Sequence, residues 1–324
     1  MLRRSYPTLY YMKICDFKNR SCLAVVMVLL AAVVGAQEAG PKDKPVYYFN
    51  PAWSPDGSRI LFESSMSGIS TIYSISKSGS DLKQITKESS GQPAWSPDGS
   101  SVVYYREVEK QLQLYTNSAQ GGAEKVLVAT RSQDYGPTWS SKGLIAFMSN
   151  PSRGRLSHIL YSVRADGSDY RQIADTAYDH MSPKWSKDGK KLLVERAPWT
   201  SKTYQMLTRE EVMQINRSHE IVIIEGKRIT RVTEAGSGYD NAIWAPDGKS
   251  VCFKKEKDSS TVIYRFDLKK KRLSEICMIG RKIGSFDLSP DAGQIVFDHS
   301  KNRKYAISVV DIRTGKEQKL IGDD

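Results

Sequence analysis

The chain is poor in the side chains that build chemical centres. Its 324 residues include four cysteines and four histidines. Cys15, Cys22, Cys252 and Cys277 are too few for a disulfide framework. His158, His180, His219 and His299 lie far apart, without metal-ligand spacing. No HExxH, GxSxG or CxxC occurs. Asp247-Gly248-Lys249-Ser250 resembles the close of a phosphate loop, but isoleucine stands at 243 where that motif needs glycine. No catalytic residue, cofactor or metal is therefore expected. The apolar run from Cys22 to Ala36 has fifteen positions, short of the ~20 that span a bilayer as a helix. There is no low-complexity tract, and 40% apolar with 26% charged residues is ordinary for a soluble domain.

Charge of one sign is only mildly in excess. The formal net charge is +12, and residues 1–36 contribute five Lys/Arg and one Asp. Without them 43 basic residues face 35 acidic ones, a net +8, which favours an anionic partner weakly. Those residues read as an export leader. A basic region ends at Arg20, the apolar run follows, and Val34-Gly35-Ala36 precedes Gln37. Met12 offers a second start, with a basic region of more usual length. The expected layout is a signal peptide over 1–36, a linker over 37–46 and one folded body over 47–324. The protein is then periplasmic or secreted, without a membrane span once the leader is removed.

What is abundant is repetition. PAWSPDG at Pro51–Gly57 returns at Pro93–Gly99, then as PTWSSKG, PKWSKDG and AIWAPDG, and FDLSPDAG ends the series with Leu288 in place of tryptophan. Trp53, Trp95, Trp139, Trp185, Trp244 and Leu288 are spaced by 42, 44, 46, 59 and 44 residues. One large aromatic and one tight turn per forty-odd residues mark four-stranded propeller blades. In the first unit Tyr48–Ser54, Ser58–Glu63, Ser70–Ser76 and Leu82–Thr86 read as strands, from alternating apolar and β-branched residues. Pro-Asp-Gly suits the first turn: proline presets φ, aspartate bonds its own backbone, and glycine accepts positive φ. The expectation is an all-β, six-bladed propeller of antiparallel blades, with the tryptophans packed as spacers between them. Cys252 and Cys277 fall on the second and fourth strands of one blade, about 9–10 Å apart, too far for a disulfide. Two buried free thiols are expected.

This repeat resembles that of the TolB-type propeller family, over about Tyr47 to Ile321. The resemblance covers the propeller portion alone, without the α/β domain that the family's namesake carries ahead of it. It implies a component of the cell envelope and a protein partner, a Pal-like lipoprotein among the candidates.

Alternation of strands places the lead-ins to each first strand on one side, around the channel mouth. Asp134, Tyr135, Tyr178, Asp179, His180, Tyr239, Asp240 and Asn241 form that ring, with Tyr47, Tyr48, Asn50 and Gln92. Three readings stand for it: closure of turns, binding of a protein or peptide, or a cation held by the three aspartates. The fourth repeat carries an extra stretch over 197–218. There Thr208 to Glu211 has capping-box spacing, and a short helix is expected over 209–215. Trp199, Tyr204, Met206 and Met213 make either a satellite core or a contact patch. Lys269-Lys270-Lys271-Arg272 sits in a turn on the opposite side and reads as solvated, without nucleic acid as partner. The reading of the whole is an exported, non-catalytic, monomeric propeller that docks a protein or peptide at its mouth. Binding of cell-wall saccharide there is the alternative. A propeller lyase or hydrolase is the third reading, opposed by the scattered histidines.

Overall fold

The computed structural model describes residues 10–14, 23–27, 45–151, 158–199, 206–208, 210–211, 214–215 and 218–323. Two compact units divide the chain, residues 1–45 and 46–324. In the first, Tyr10–Ile14 and Leu23–Met27 pair antiparallel, with Tyr10 opposite Met27.

The second unit is a six-bladed propeller of four-stranded antiparallel sheets, each built from contiguous sequence. The first blade comprises Tyr48–Trp53, Arg59–Ser64, Thr71–Ser76 and Lys83–Gln84. The later blades open with Ser90–Trp95, Gln133–Trp139, Tyr178–Trp185, Asp240–Trp244 and Ile283–Leu288. Each of these first strands touches that of the next blade, and the sixth touches the first, so they form the inner wall of a closed ring.

Six apolar clusters hold the ring, one at each boundary between blades. Trp53 packs among Ile60, Phe62, Val296 and Ile307, joining the first blade to the sixth. Trp95, Trp139, Trp185 and Trp244 join the clusters at the next four boundaries. Leu288 fills the same place between the fifth and sixth blades. In the second strands Phe62, Tyr104, Phe147, Phe253 and Phe297 recur at one position and are fully buried, each burial stabilising by roughly 1.5–3 kcal/mol.

The ring closes without strand exchange. Besides the apolar cluster, the backbone N–H of Trp53 donates to Asp287 Oδ2 at 2.8 Å, and Gln318 Nε2 donates to the carbonyl of Ser78 at 3.0 Å. The Pro-Asp-Gly turns explain their own recurrence. Ser54 Oγ and the Ser58 N–H both donate to Asp56 Oδ1, at 2.6 and 3.0 Å, and Gly57 takes φ +71°. The Ser54 hydroxyl, then the Ser58 amide, hold the Asp56 carboxyl below the usual carboxylate range.

Of the expected helix at 209–215, only Glu210, Glu211, Gln214 and Ile215 are described, and it is not established as an element. Tyr204 and Met213 lie outside the described residues. The Thr208 N–H donates to Glu211 Oε2 at 2.9 Å, and the Glu211 N–H donates to Thr208 Oγ1 at 3.2 Å. Cys252 and Cys277 are both free. Cys252 is buried as expected, whereas Cys277 is only half-buried, because its strand is the outer edge of the sheet.

Candidate functional site

The inner strand of every blade shifts register at a bulge, between Phe49 and Ala52 in the first blade and at the matching place in the other five. In five blades the residue three before the tryptophan takes positive φ: Asn50, Gln92, Gly136, Ser182 and Asn241. A bulge adds one residue and re-aims the side chains that follow. It also frees backbone donors, which need partners.

Charged side chains on the second strands supply several of those partners. Glu63, Glu195, Lys254 and Asp298 occupy one structural position, each directly after the recurring core residue, and all four are buried. Glu63 accepts from the Gln92 N–H at 3.1 Å in the next blade, from Ser70 Oγ at 2.7 Å and from Asn50 Nδ2 at 3.3 Å. Glu195 Oε1 accepts from the Ala242 N–H at 3.0 Å, again in the next blade. Lys254 Nζ donates to the carbonyl of Ile283 at 3.1 Å and lies 3.3 Å from Asp240 Oδ1. Asp298 Oδ1 accepts from the Ser285 N–H of its own blade at 2.9 Å. Glu63, Glu195 and Lys254 each lock their blade to the inner strand of the next, and Asp298 locks the bulge of its own blade, at the cost of burying charge. Burial raises the Glu63 carboxyl above its ordinary range, against its hydrogen bonds from Ser70 and Gln92. The locks also explain two glycines. A Cβ on Gly91 would stand 2.5 Å from the Tyr105 hydroxyl and 2.6 Å from Glu63 Oε2, and one on Gly284 would collide with Asp298.

The eight lead-in residues divide into two groups. Asp134, Tyr135, Asp179 and His180 are buried, while Tyr178, Tyr239, Asp240 and Asn241 are half-buried. The Tyr135 hydroxyl bonds His158 Nε2, and Asp179 Oδ1 lies 2.7 Å from both His158 Nδ1 and the His158 N–H. This buried tyrosine–histidine–aspartate chain spans the third and fourth blades. Asp134 Oδ2 accepts from Thr130 Oγ1 at 2.5 Å, and burial raises its carboxyl. His180 has no partner for either ring nitrogen among the described residues, and burial lowers its pKa. Nearer the surface, the Arg196 guanidinium lies 3.9 Å over the Tyr178 ring and bonds Glu220 at 3.0 Å. Tyr239 packs on Phe253 and Tyr264. Among the described residues no three histidine, cysteine or carboxylate side chains converge as a metal ion requires.

Lower on the inner wall, the residue before each tryptophan gives Ala52, Ala94, Thr138, Lys184, Ile243 and, before Leu288, Asp287. Lys184 and Asp287 are close enough to feel each other's charge. Desolvation by the encircling blades pushes the Lys184 ammonium below the usual lysine range, although the residue as a whole is exposed, and pushes the Asp287 carboxyl up to about 6.

One mouth feature was read only in part from the sequence, which placed Tyr47 at the mouth but not Phe49 or Tyr305. At the seam of the sixth and first blades Tyr47, Phe49 and Tyr305 meet, with ring centroids 4.6 Å apart for Tyr47–Tyr305 and 5.9 Å for Phe49–Tyr305. All three are half-buried, and Met66 packs beside them. Ile69 of the same loop is 45% exposed. On the fourth blade Trp199 and Met206 are 44% and 67% exposed. The signal lay in aromatics at i and i+2 on the first strand and one opening a third strand, but their meeting depends on ring closure.

Six such blades make the chain a β-propeller whose repeat is similar to that of the TolB type. The model of the TolB beta propeller domain matches residues 42–189. Among solved structures, TolB from Acinetobacter baumannii is similar at 15% identity and TM-score 0.61, covering 86% of this chain and 63% of that one. An oligogalacturonate lyase in complex with manganese matches at 15% identity and TM-score 0.57, covering 86% and 78%. The oligogalacturonate lyase of Vibrio parahaemolyticus matches at 16% and 0.56, covering 86% and 79%. Likeness at this level shows the fold alone. No curated protein matches in sequence. No helix among the described residues is long and apolar enough to cross a membrane.

Proposed function

We propose that the propeller is an exported, non-catalytic docking module of the cell envelope that binds a protein or peptide segment at its channel mouth. The observation that carries this reading is the half-exposed aromatic cluster Tyr47, Phe49 and Tyr305, bordered by Met66 and Ile69. Aromatic and methionine side chains at a polar rim are what protein interfaces enrich. Trp199 and Met206 extend the apolar surface on the fourth blade, on the same side. The half-buried Tyr178, Tyr239 and Asn241 supply polar contacts around the rim. By family resemblance a Pal-like lipoprotein is the first partner to try. The test is affinity capture from envelope extracts by the wild type, Tyr305→Ser and Trp199→Ser, with circular dichroism confirming the fold. One protein retained by the wild type and lost from Tyr305→Ser supports the reading, whereas equal recovery from all three removes it.

The same tyrosines would stack a sugar ring, which makes saccharide binding the second reading. Calorimetric titration with oligogalacturonate, with and without manganese, tests that second reading. Binding that vanishes in Tyr305→Ser favours the saccharide, and an unsaturated product would make the protein a lyase.

A further inference from the structure

The face opposite the mouth, formed by the turns joining strands one to two and three to four, is electrically divided. In the fourth and fifth blades these turns are residues 186–191, 226–227, 245–249 and 268–271, lying between the observed strands. They carry eight lysines (Lys187, Lys190, Lys191, Lys227, Lys249, Lys269, Lys270 and Lys271) against Asp188 and Asp247, a net +6. The matching turns of the other four blades carry four basic and seven acidic residues, a net −3. The excess is thus gathered on one third of the ring. Seven of the eight lysines are exposed and Lys191 is half-buried. None has a carboxylate within ion-pair distance among the described residues, in contrast to Arg59 with Asp81 or Arg281 with Glu317 on other blades.

The acids in and beside these turns are committed elsewhere. Asp188 Oδ1 accepts from Ser186 Oγ at 2.6 Å and from the Lys190 N–H at 3.2 Å. Asp247 accepts from the Lys249 and Ser250 N–H groups and pairs with Arg265 at 2.6 Å. Asp267 Oδ1 accepts from the N–H of Lys269 and Lys270 at 3.0 and 2.8 Å, which fixes the shape of the triple-lysine tip. Carboxylates that close turns leave the ammonium groups projecting at the tips.

We propose that this turn face of the fourth and fifth blades lies against an anionic lipid bilayer. Three features favour a bilayer over a single anionic ligand. The cations spread over four separate turn tips, which suits a plane of charge better than a pocket. Within the turns they are all lysine, a hydrated point charge, while the guanidinium groups of Arg228 and Arg272 stand at the adjoining strand ends. Unpaired ammonium groups near an anionic leaflet each contribute favourably, and together they orient the bound body. The mouth then faces away from the membrane, open to a partner. The inference is independent of what the mouth binds.

The test is sedimentation of the full chain with phosphatidylglycerol-containing vesicles and with purely phosphatidylcholine vesicles. The ratio of the two partition coefficients removes any attraction due to the apolar N-terminal run, which both vesicles share. We expect a ratio well above one that falls as salt rises. It should drop at least about tenfold in Lys190→Glu/Lys269→Glu/Lys270→Glu/Lys271→Glu. The control Lys77→Glu/Arg313→Glu, on the other half of the face, should leave it within about twofold. A wild-type ratio near one overturns the proposal, as does an unchanged ratio in the fourfold variant. Retention by soluble polyphosphate without preference for anionic vesicles overturns it too, and assigns the face to a polyanion.

Discussion

The indole Nε1–H of Trp95 donates to the carbonyl oxygen of Ala52 at 3.1 Å, across the boundary between the first and second blades. Trp244 makes the same bond to the carbonyl of Lys184 at 2.9 Å. In these two blades the recurring aromatic is a spacer that also pairs a polar group of the preceding inner strand, whereas the indole N–H groups of Trp53 and Trp185 have no partner among the described residues. Phenylalanine at 95 keeps much of the packing and loses the bond, so Trp95→Phe should cost about 1–2 kcal/mol. Trp95→Ala should cost about 3–5 kcal/mol, from lost burial and the cavity left behind. Urea unfolding measures both, and a Trp95→Phe variant as stable as the wild type would mean that the bond contributes nothing.

The bulge locks predict a graded series at Glu63. Alanine there strands the Gln92 N–H and the Ser70 hydroxyl in a buried boundary, with an expected loss of about 2–4 kcal/mol. Glutamine retains one acceptor and should cost less than half as much. Gly91→Ala, which drives a methyl against the Tyr105 hydroxyl and Glu63, should destabilise to a similar degree as Glu63→Ala. Thermal unfolding of the three variants checks the ranking.

Two half-buried groups give the seam a pH dependence of opposite signs. Asp287 is pushed up to about 6 by burial, so the folded state holds its proton more tightly than the unfolded chain. Its ionisation therefore erodes stability between about pH 4 and 6, and the cost is complete above that window. His299 is pushed down to about 4, first by burial and then by the Arg281 guanidinium. Its contribution is complete above pH 6.5 and is lost as the pH falls toward 4. Asp287→Asn removes the first effect and keeps an acceptor for the Trp53 N–H. Its Tm relative to the wild type should be highest at pH 7 and decline steadily to pH 4. A constant difference across that range would contradict the assignment.

The thiols supply a chemical check. Burial pushes the Cys252 thiol up to about 12 and raises Cys277 as well. Iodoacetamide under native conditions should label Cys277 slowly and Cys252 not at all, as read by peptide mass mapping. Rapid labelling of Cys252 would place the second strand of the fifth blade outside the core.

The blade count, the aromatic spacing and the tight turns were legible because a local pattern returns in every blade, with tryptophan in five of them and Pro-Asp-Gly in three. The candidate site was not. The inner-strand bulge breaks the alternation from which lead-in residues are assigned to a face, so Asp134, Asp179 and His180 come to lie buried. Glu63, Glu195, Lys254 and Asp298 read as ordinary alternation in a strand, since their bulge partners lie 13 to 47 residues away. The aromatic cluster joins Tyr47 and Phe49 to Tyr305, and nothing local signals that contact. Even the basic face is visible only when turns from two blades are counted together.

Closure of the sixth blade on the first creates both the aromatic cluster and the seam, so it is tested most directly by chemical cross-linking across that seam. Ser78→Cys/Gln318→Cys, treated with a short bifunctional maleimide at low protein concentration, should join those two positions within one chain in high yield, as mapped by mass spectrometry. Absence of that intrachain link, or its formation only between chains, would contradict closure of the sixth blade on the first.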